Sequence, residues 1–219
     1  MSATGLQAAG FIQKGNYLTV QLKEHQNYGP SLIRLQVVND QIIRVQATAE
    51  QSFRNKQSLI IVPQNSKANY KVEEQGDKLI ITTAAMRAVL NEATGQITFY
   101  DLKDNVLLNE VAQGGKTFKP FTVPDREIGV DIAKVPEAQK HGWSWRALFD
   151  SPDNEAFYGL GQHQSEELNM KGKNEDLFQY NTKVSVPFVI SNKNYGILWD
   201  SYSYSRWGNP DDYLQLNRA

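Results

Sequence analysis

The stretch FYGLGQHQ, residues 157–164, sets two glycines and a histidine behind two aromatics, and chemistry would first be sought there. Gly159 and Gly161 make G-x-G, but position 164 is Gln and no helical pattern follows, so a dinucleotide cradle does not form. Glycines inside a strand pattern mark instead a β-bulge, or a place where another backbone comes close. His163 joins His25 and His141 as the three histidines, in a spacing that matches no zinc pattern such as H-E-x-x-H. No G-x-S-x-G elbow occurs, and the lack of cysteine removes thiolate nucleophiles, disulfides and cysteine-ligated zinc together.

Carboxylates are more numerous. Asp150, Asp153 and Glu155 lie in DSPDNE, and Glu166–Glu167 and Asp211–Asp212 are doublets. Glycoside hydrolysis needs two carboxyls facing each other at about 5–9.5 Å, whereas adjacent residues of an extended strand point to opposite faces. DSPDNE lacks the EF-hand spacing and reads as a solvated turn. Trp143, Trp145, Trp199 and Trp207, with ten tyrosines, could offer flat faces to sugar rings, though rings of this size more often fill a core. Trp143 and Trp145, two apart, share one face of a strand. These residues supply no catalytic group, no metal site and no cofactor site.

The elements that would position such groups are strands. YLTVQLK (17–23), SLIRLQVV (31–38) and QIIRVQAT (41–48) alternate with period two, the last two joined through Asn39-Asp40. NYKVEE (69–74), KLIITT (78–83), MRAVLN (86–91) and QITFYD (96–101) continue the pattern, with turns at Gln75-Gly76-Asp77 and Ala93-Thr94-Gly95. LKDNVLLNE adds a short strand after Asp104-Asn105. Residues 110–140, broken by Gly114-Gly115, Pro120, Pro124 and Pro136, read as loops and edge strands. From Trp143 the strands resume as WSWRALF, FYGLG, LFQYNT, VSVPFVIS and YGILWDSY, richer in aromatics. Turn signals every 8–12 residues without long helical periodicity predict an all-β antiparallel sandwich or barrel. The end at DDYLQLNRA lacks a closing turn, and a truncated sandwich is expected.

Composition bounds the partners. With 23 basic and 24 acidic residues the formal charge is −1, which does not suit a phosphate-tracking surface, so no nucleic-acid partner is expected. The longest apolar runs, such as SLIIV at 58–62, fall far short of the roughly 20 residues of a spanning helix, and no membrane insertion is expected. MSATGLQAAG has neither the basic nor the apolar region of a signal peptide.

EAFYGLGQHQ and LFQYNTKVSVPFVISNKNYGILWDSYS, with weaker agreement at FYDLKDNVLLNE, resemble the N-terminal β-sandwich of glycoside hydrolase family 31, the α-glucosidase and α-xylosidase family. That sandwich is similar to galactose mutarotase and precedes a catalytic (β/α)8 barrel. Members commonly carry Tyr-Gly-Leu-Gly-Glu. Here Gln162 and His163 follow the glycines, a form similar to the bacterial α-xylosidases acting on xyloglucan fragments, in which a second sandwich module is often inserted after the YGILWD segment. The resemblance implies a single domain over residues 1–219, with both catalytic aspartates on a barrel absent from this chain, which would be inactive alone. It implies a periplasmic or cell-surface bacterial enzyme whose intramolecular barrel and oligosaccharide substrate are the partners. It also places Gln179, Tyr180, Asn181 and Thr182 in a loop at the rim of the active-site pocket, Asn181 standing near an aspartate that touches sugar in some α-glucosidases. Gln162 and His163 are expected to emerge at the interface with the barrel, on the same side as that loop. The alternative reading is an independent carbohydrate-binding sandwich that uses exposed tryptophans.

Overall fold

The alternating segments fold as antiparallel strands. The structure, a computed structural model, describes residues 10–23, 27–54, 57–62, 68–113, 115–122, 131–164, 167–201 and 203–208. His25, Glu166 and the Asp211–Asp212 doublet lie outside these residues. The chain divides into two compact units, residues 1–55 with 64–150 and residues 56–63 with 151–219.

In the first unit, β1 (Phe11–Lys14), β2 (Tyr17–Gln21), β3 (Leu32–Asn39) and β4 (Ile42–Thr48) pair in chain order as a four-stranded sheet. A five-stranded meander follows from β5 (Lys71–Gln75), β6 (Lys78–Thr82), β7 (Arg87–Asn91), β8 (Ile97–Tyr100) and β9 (Val106–Asn109). Period-two alternation sends Leu18, Val20, Ile33, Leu35 and Val37 from the first sheet, and Leu79, Ile81, Leu90 and Ile97 from the second, into one core where each is fully buried. Each such side chain contributes about 1.5–3 kcal/mol by leaving water.

β10 (Lys116–Thr122) and β11 (His141–Ala147) pair over their full length as a two-stranded ribbon, with a short 3-10 turn (Ile132–Lys134) and a four-residue helix (Glu137–Lys140) between them. The β3–β4 turn falls one residue later than Asn39-Asp40. Asn39 pairs with Ile42 after a bulge at Val37/Asn39, and its Oδ1 accepts from the Gln41 N–H at 2.9 Å.

The second unit is smaller. β12 (Phe157–Gln162), β14 (Val184–Ser191) and β15 (Tyr195–Leu198) form a three-stranded sheet in that order, and β13 (Glu175–Leu177) pairs with β16 (Ser205–Trp207). Phe157, Leu160, Met170 and Val189 make its core, with the Trp207 ring edge-on to Phe157 at 5.2 Å. LFQYNT does not run as one strand. It stays extended only to Leu177 and then turns, the Tyr180 carbonyl accepting from the Lys183 N–H at 2.8 Å.

Candidate functional site: the β12–β14 end and the 179–182 turn

The two glycines of FYGLGQHQ are set by the backbone of β14. Gly159 has φ +129° and Gly161 φ +99°, and the register slips between them. A Cβ on Gly161 would lie 2.0 Å from the Val184 carbonyl oxygen, and one on Gly159 would lie 2.6 Å from that of Phe188. The close approach expected of glycines in a strand is therefore present. Between them Leu160, itself at φ +67°, drives its side chain into the core.

The bulge sets the direction of the next two residues. Gln162 pairs with Val184, the first residue of β14, so β12 ends beside the 179–182 turn. Gln162 is exposed there, whereas the His163 side chain is only 5% exposed. His163 thus turns inward instead of emerging. Its Nε2 lies 2.7 Å from the Leu160 carbonyl, which can only accept, so that nitrogen carries a proton. Its Nδ1 lies 3.0 Å from Glu175 Oε1 but outside hydrogen-bond alignment. Lys183, buried next to the turn, pairs with the same Glu175 oxygen and donates to the Asp176 carbonyl. Histidine, carboxylate and ammonium thereby tie together the ends of β12, β13 and β14.

Above this cluster the turn is polar and open. Tyr180, Asn181 and Thr182 are exposed, and Gln179 Oε1 accepts from the Ser185 N–H at 3.1 Å. The Tyr180 ring lies 5.8 Å from that of Phe178, which lies 6.4 Å from Tyr204. Tyr204 donates its hydroxyl proton to Asp176 Oδ1 at 2.5 Å and accepts from Arg206 Nε at 2.8 Å. Sequence reasoning singled out neither Phe178 nor Tyr204. The interleaving of aromatic and polar residues in FQYNT was the available signal.

Glu155 departs from the solvated-turn reading of DSPDNE. Its carboxylate is buried and accepts from Ser191 Oγ and from the Tyr195 hydroxyl, each at 2.5 Å. Burial, reinforced by that carboxylate, raises the Tyr195 phenol well above the usual phenol range. This arrangement ties the segment before β12 to the β14–β15 hairpin. Trp143 and Trp145 are each 43% exposed, Trp145 stacking on Phe118 at 6.3 Å. Among the described residues no group of three or more His, Cys, Asp or Glu side chains could hold a metal ion, and no helix is long and apolar enough to cross a membrane.

Comparison with known proteins agrees with this architecture. A family model described as the glycosyl hydrolase 31 N-terminal galactose mutarotase-like domain matches residues 32–207, running through both units. The crystal structure of a GH31 α-xylosidase from Xanthomonas citri superposes with a TM-score of 0.77 and 36% identity, over 90% of this chain and 20% of that one. A GH31 α-xylosidase from a soil metagenome, complexed with xylose, gives 0.67 and 26%, over 90% of this chain and 28% of that one. A family 31 glucosidase of Pseudescherichia vulneris is 26% identical over 195 residues, which are 83% of this chain and 36% of its own. The chain thus spans about a third or less of the relatives it matches. With the fold, the bulged β12 and a match over most of its length in agreement, the chain belongs to the glycosyl hydrolase 31 N-terminal galactose mutarotase-like domain family.

Proposed function

We propose that this chain is the accessory sandwich of a retaining α-glycosidase, an α-xylosidase acting on xyloglucan oligosaccharides at the periplasm or cell surface of a bacterium. In such an enzyme one carboxylate attacks the anomeric carbon, and a second carboxyl protonates the leaving oxygen and then activates water. Both belong to the catalytic barrel. The role of this domain is to pack against that barrel through the exposed Gln162 at the end of β12, which the inward His163 ties to Glu175, and to narrow the pocket with the 179–182 turn, favouring a small terminal sugar.

The observation that carries this reading is the β12–β14 register, in which Gln162 stands opposite Val184, directly after the turn holding Gln179, Tyr180, Asn181 and Thr182. Gln162 and the turn are thereby neighbours, which supports this reading. Asn181 offers a neutral amide that both donates to and accepts from sugar hydroxyls. In the enzyme carrying this domain, Asn181→Ala is expected to lower kcat/KM for α-xylosyl fluoride by about tenfold, the worth of one or two hydrogen bonds. An unchanged value removes the turn from the pocket rim.

A second reading, an independent carbohydrate-binding module, is favoured by the exposure of Trp143 and Trp145 on one face of β11. Calorimetric titration of this chain with xyloglucan oligosaccharides decides it. Binding that is lost in Trp143→Ala supports the module, and silence leaves the accessory role.

A further inference from the structure

The exposed rings beside the turn carry an inference that rests on the rim reading and deepens it. Phe178, Tyr180 and Tyr204 are each about half exposed, at 54%, 49% and 55%, and their rings adjoin in a row. Exposed apolar surface of this kind needs an occupant, and its setting narrows the choice. The core of a protein–protein patch is depleted of charge, but these rings are edged by the Asp176 carboxylate and the Arg206 guanidinium, and the exposed Asn181 follows Tyr180 in the turn. A pyranose ring has the complementary surface, an apolar face of C–H groups surrounded by hydroxyls that bond planar polar side chains.

Tyr204 and the backbone of the turn are also held before any ligand arrives. The bonds of Tyr204 to Asp176 and Arg206 fix its hydroxyl, Arg206 lies 5.3 Å from the Tyr204 ring centre, and the Tyr180–Lys183 bond closes the turn. Lys183, reaching Glu175 and the Asp176 carbonyl, anchors the turn to β13. Tyr204 therefore has little side-chain freedom left to lose on binding, which helps a weak stacking contact to register as affinity. We propose that Phe178, Tyr180 and Tyr204 form a stacking platform for a pyranose of the leaving oligosaccharide, so that the domain reads the aglycone as well as bordering the pocket.

The test compares two substrates in the enzyme carrying this domain. α-Xylosyl fluoride leaves only fluoride and has no aglycone sugar to stack, whereas a xyloglucan heptasaccharide does. For Tyr204→Ala and Phe178→Ala, kcat/KM is expected to fall about 3–10-fold more for the heptasaccharide than for the fluoride, mostly through KM, and Phe178→Tyr, which keeps a ring, should restore the ratio. Should Phe178→Ala fail to fold, Tyr204→Ala with Phe178→Tyr carries the comparison. Equal losses on both substrates, accompanied by a lower Tm, would mean that protein covers the rings and would overturn the platform, as would no loss on either. Asn181→Ala separates the two ideas. If it impairs the fluoride while the ring variants leave the substrate ratio unmoved, the rim reading stands and the platform falls. If it leaves the fluoride untouched while the ring variants still shift the ratio, the platform stands and the rim reading falls.

Discussion

The two units hold their strands together with the same materials in different proportions. The first has the larger aliphatic core, with leucines, isoleucines and valines from two sheets fully buried, and beside it one buried ion pair, Glu110 with Lys116. The second has four buried apolar residues, a bulged strand and polar ties, namely Glu155 with Ser191 and Tyr195, and Glu175 with Lys183 beside His163. Non-directional packing tolerates repacking among similar side chains, whereas hydrogen-bonded networks demand one geometry and place groups accurately. Apolar packing thus weighs more in the first unit and polar ties weigh more in the second, which is where the candidate site lies.

Substitutions sharpen or break this contrast. Leu35→Ala should have the largest effect, destabilising the first unit by about 2–5 kcal/mol in urea unfolding followed by hydrogen exchange. A cost below about 1 kcal/mol would show that the aliphatic core is not the main support. Gly161→Ala should cost the second unit about 2–4 kcal/mol, since its Cβ meets the Val184 carbonyl and its φ is unsuited to an L side chain. Amides of β12 and β14 should then exchange faster while those of β2 and β3 do not.

Tyr195→Phe should cost about 1 kcal/mol or somewhat more, by withdrawing a donor from the buried Glu155 carboxylate. It also gives a pH signature. Because the folded phenol holds its proton more tightly than the unfolded one, its stabilising effect is complete below pH ~10 and is lost as pH rises above that value. The wild-type urea midpoint for β14–β15 should therefore fall more steeply between about pH 10 and 11.5 than that of the variant. Parallel slopes would mean that Tyr195 takes no part. Glu50→Gln, which removes the exposed Glu50–Arg54 pair of the first unit, should leave its midpoint within error.

The legibility of the sequence divides along the same line. In the first unit alternation alone is informative, because a strand with one face in a core must repeat every two residues. The segments read at 78–83, 86–91 and 96–101 fold as strands within a residue or two of those bounds. The Asn39 turn slipped by one because a bulge is a tertiary choice, decided by the partner strand. In the second unit the glycines announced a close approach, and β14 supplies it. The inward rotation of His163 was hidden, since its partner Glu175 is twelve residues away in sequence and only folding brings it near. Glu155 was hidden likewise, a carboxylate in turn-like sequence whose donors, Ser191 and Tyr195, lie on another hairpin. Periodicity reports which face is apolar, but it does not report which polar groups find each other.

The left-handed run through Gly159, Leu160 and Gly161 carries a consequence of chirality. At φ +129° and +99° the two glycines have the positive φ that L residues rarely adopt and D residues favour. An L side chain there is aimed at the carbonyl oxygens of β14, whereas a D side chain would replace the opposite hydrogen and find its own preferred backbone. In a chain assembled by chemical ligation, D-alanine at 161 should therefore be accommodated better than L-alanine, so that handedness rather than bulk decides what this position accepts.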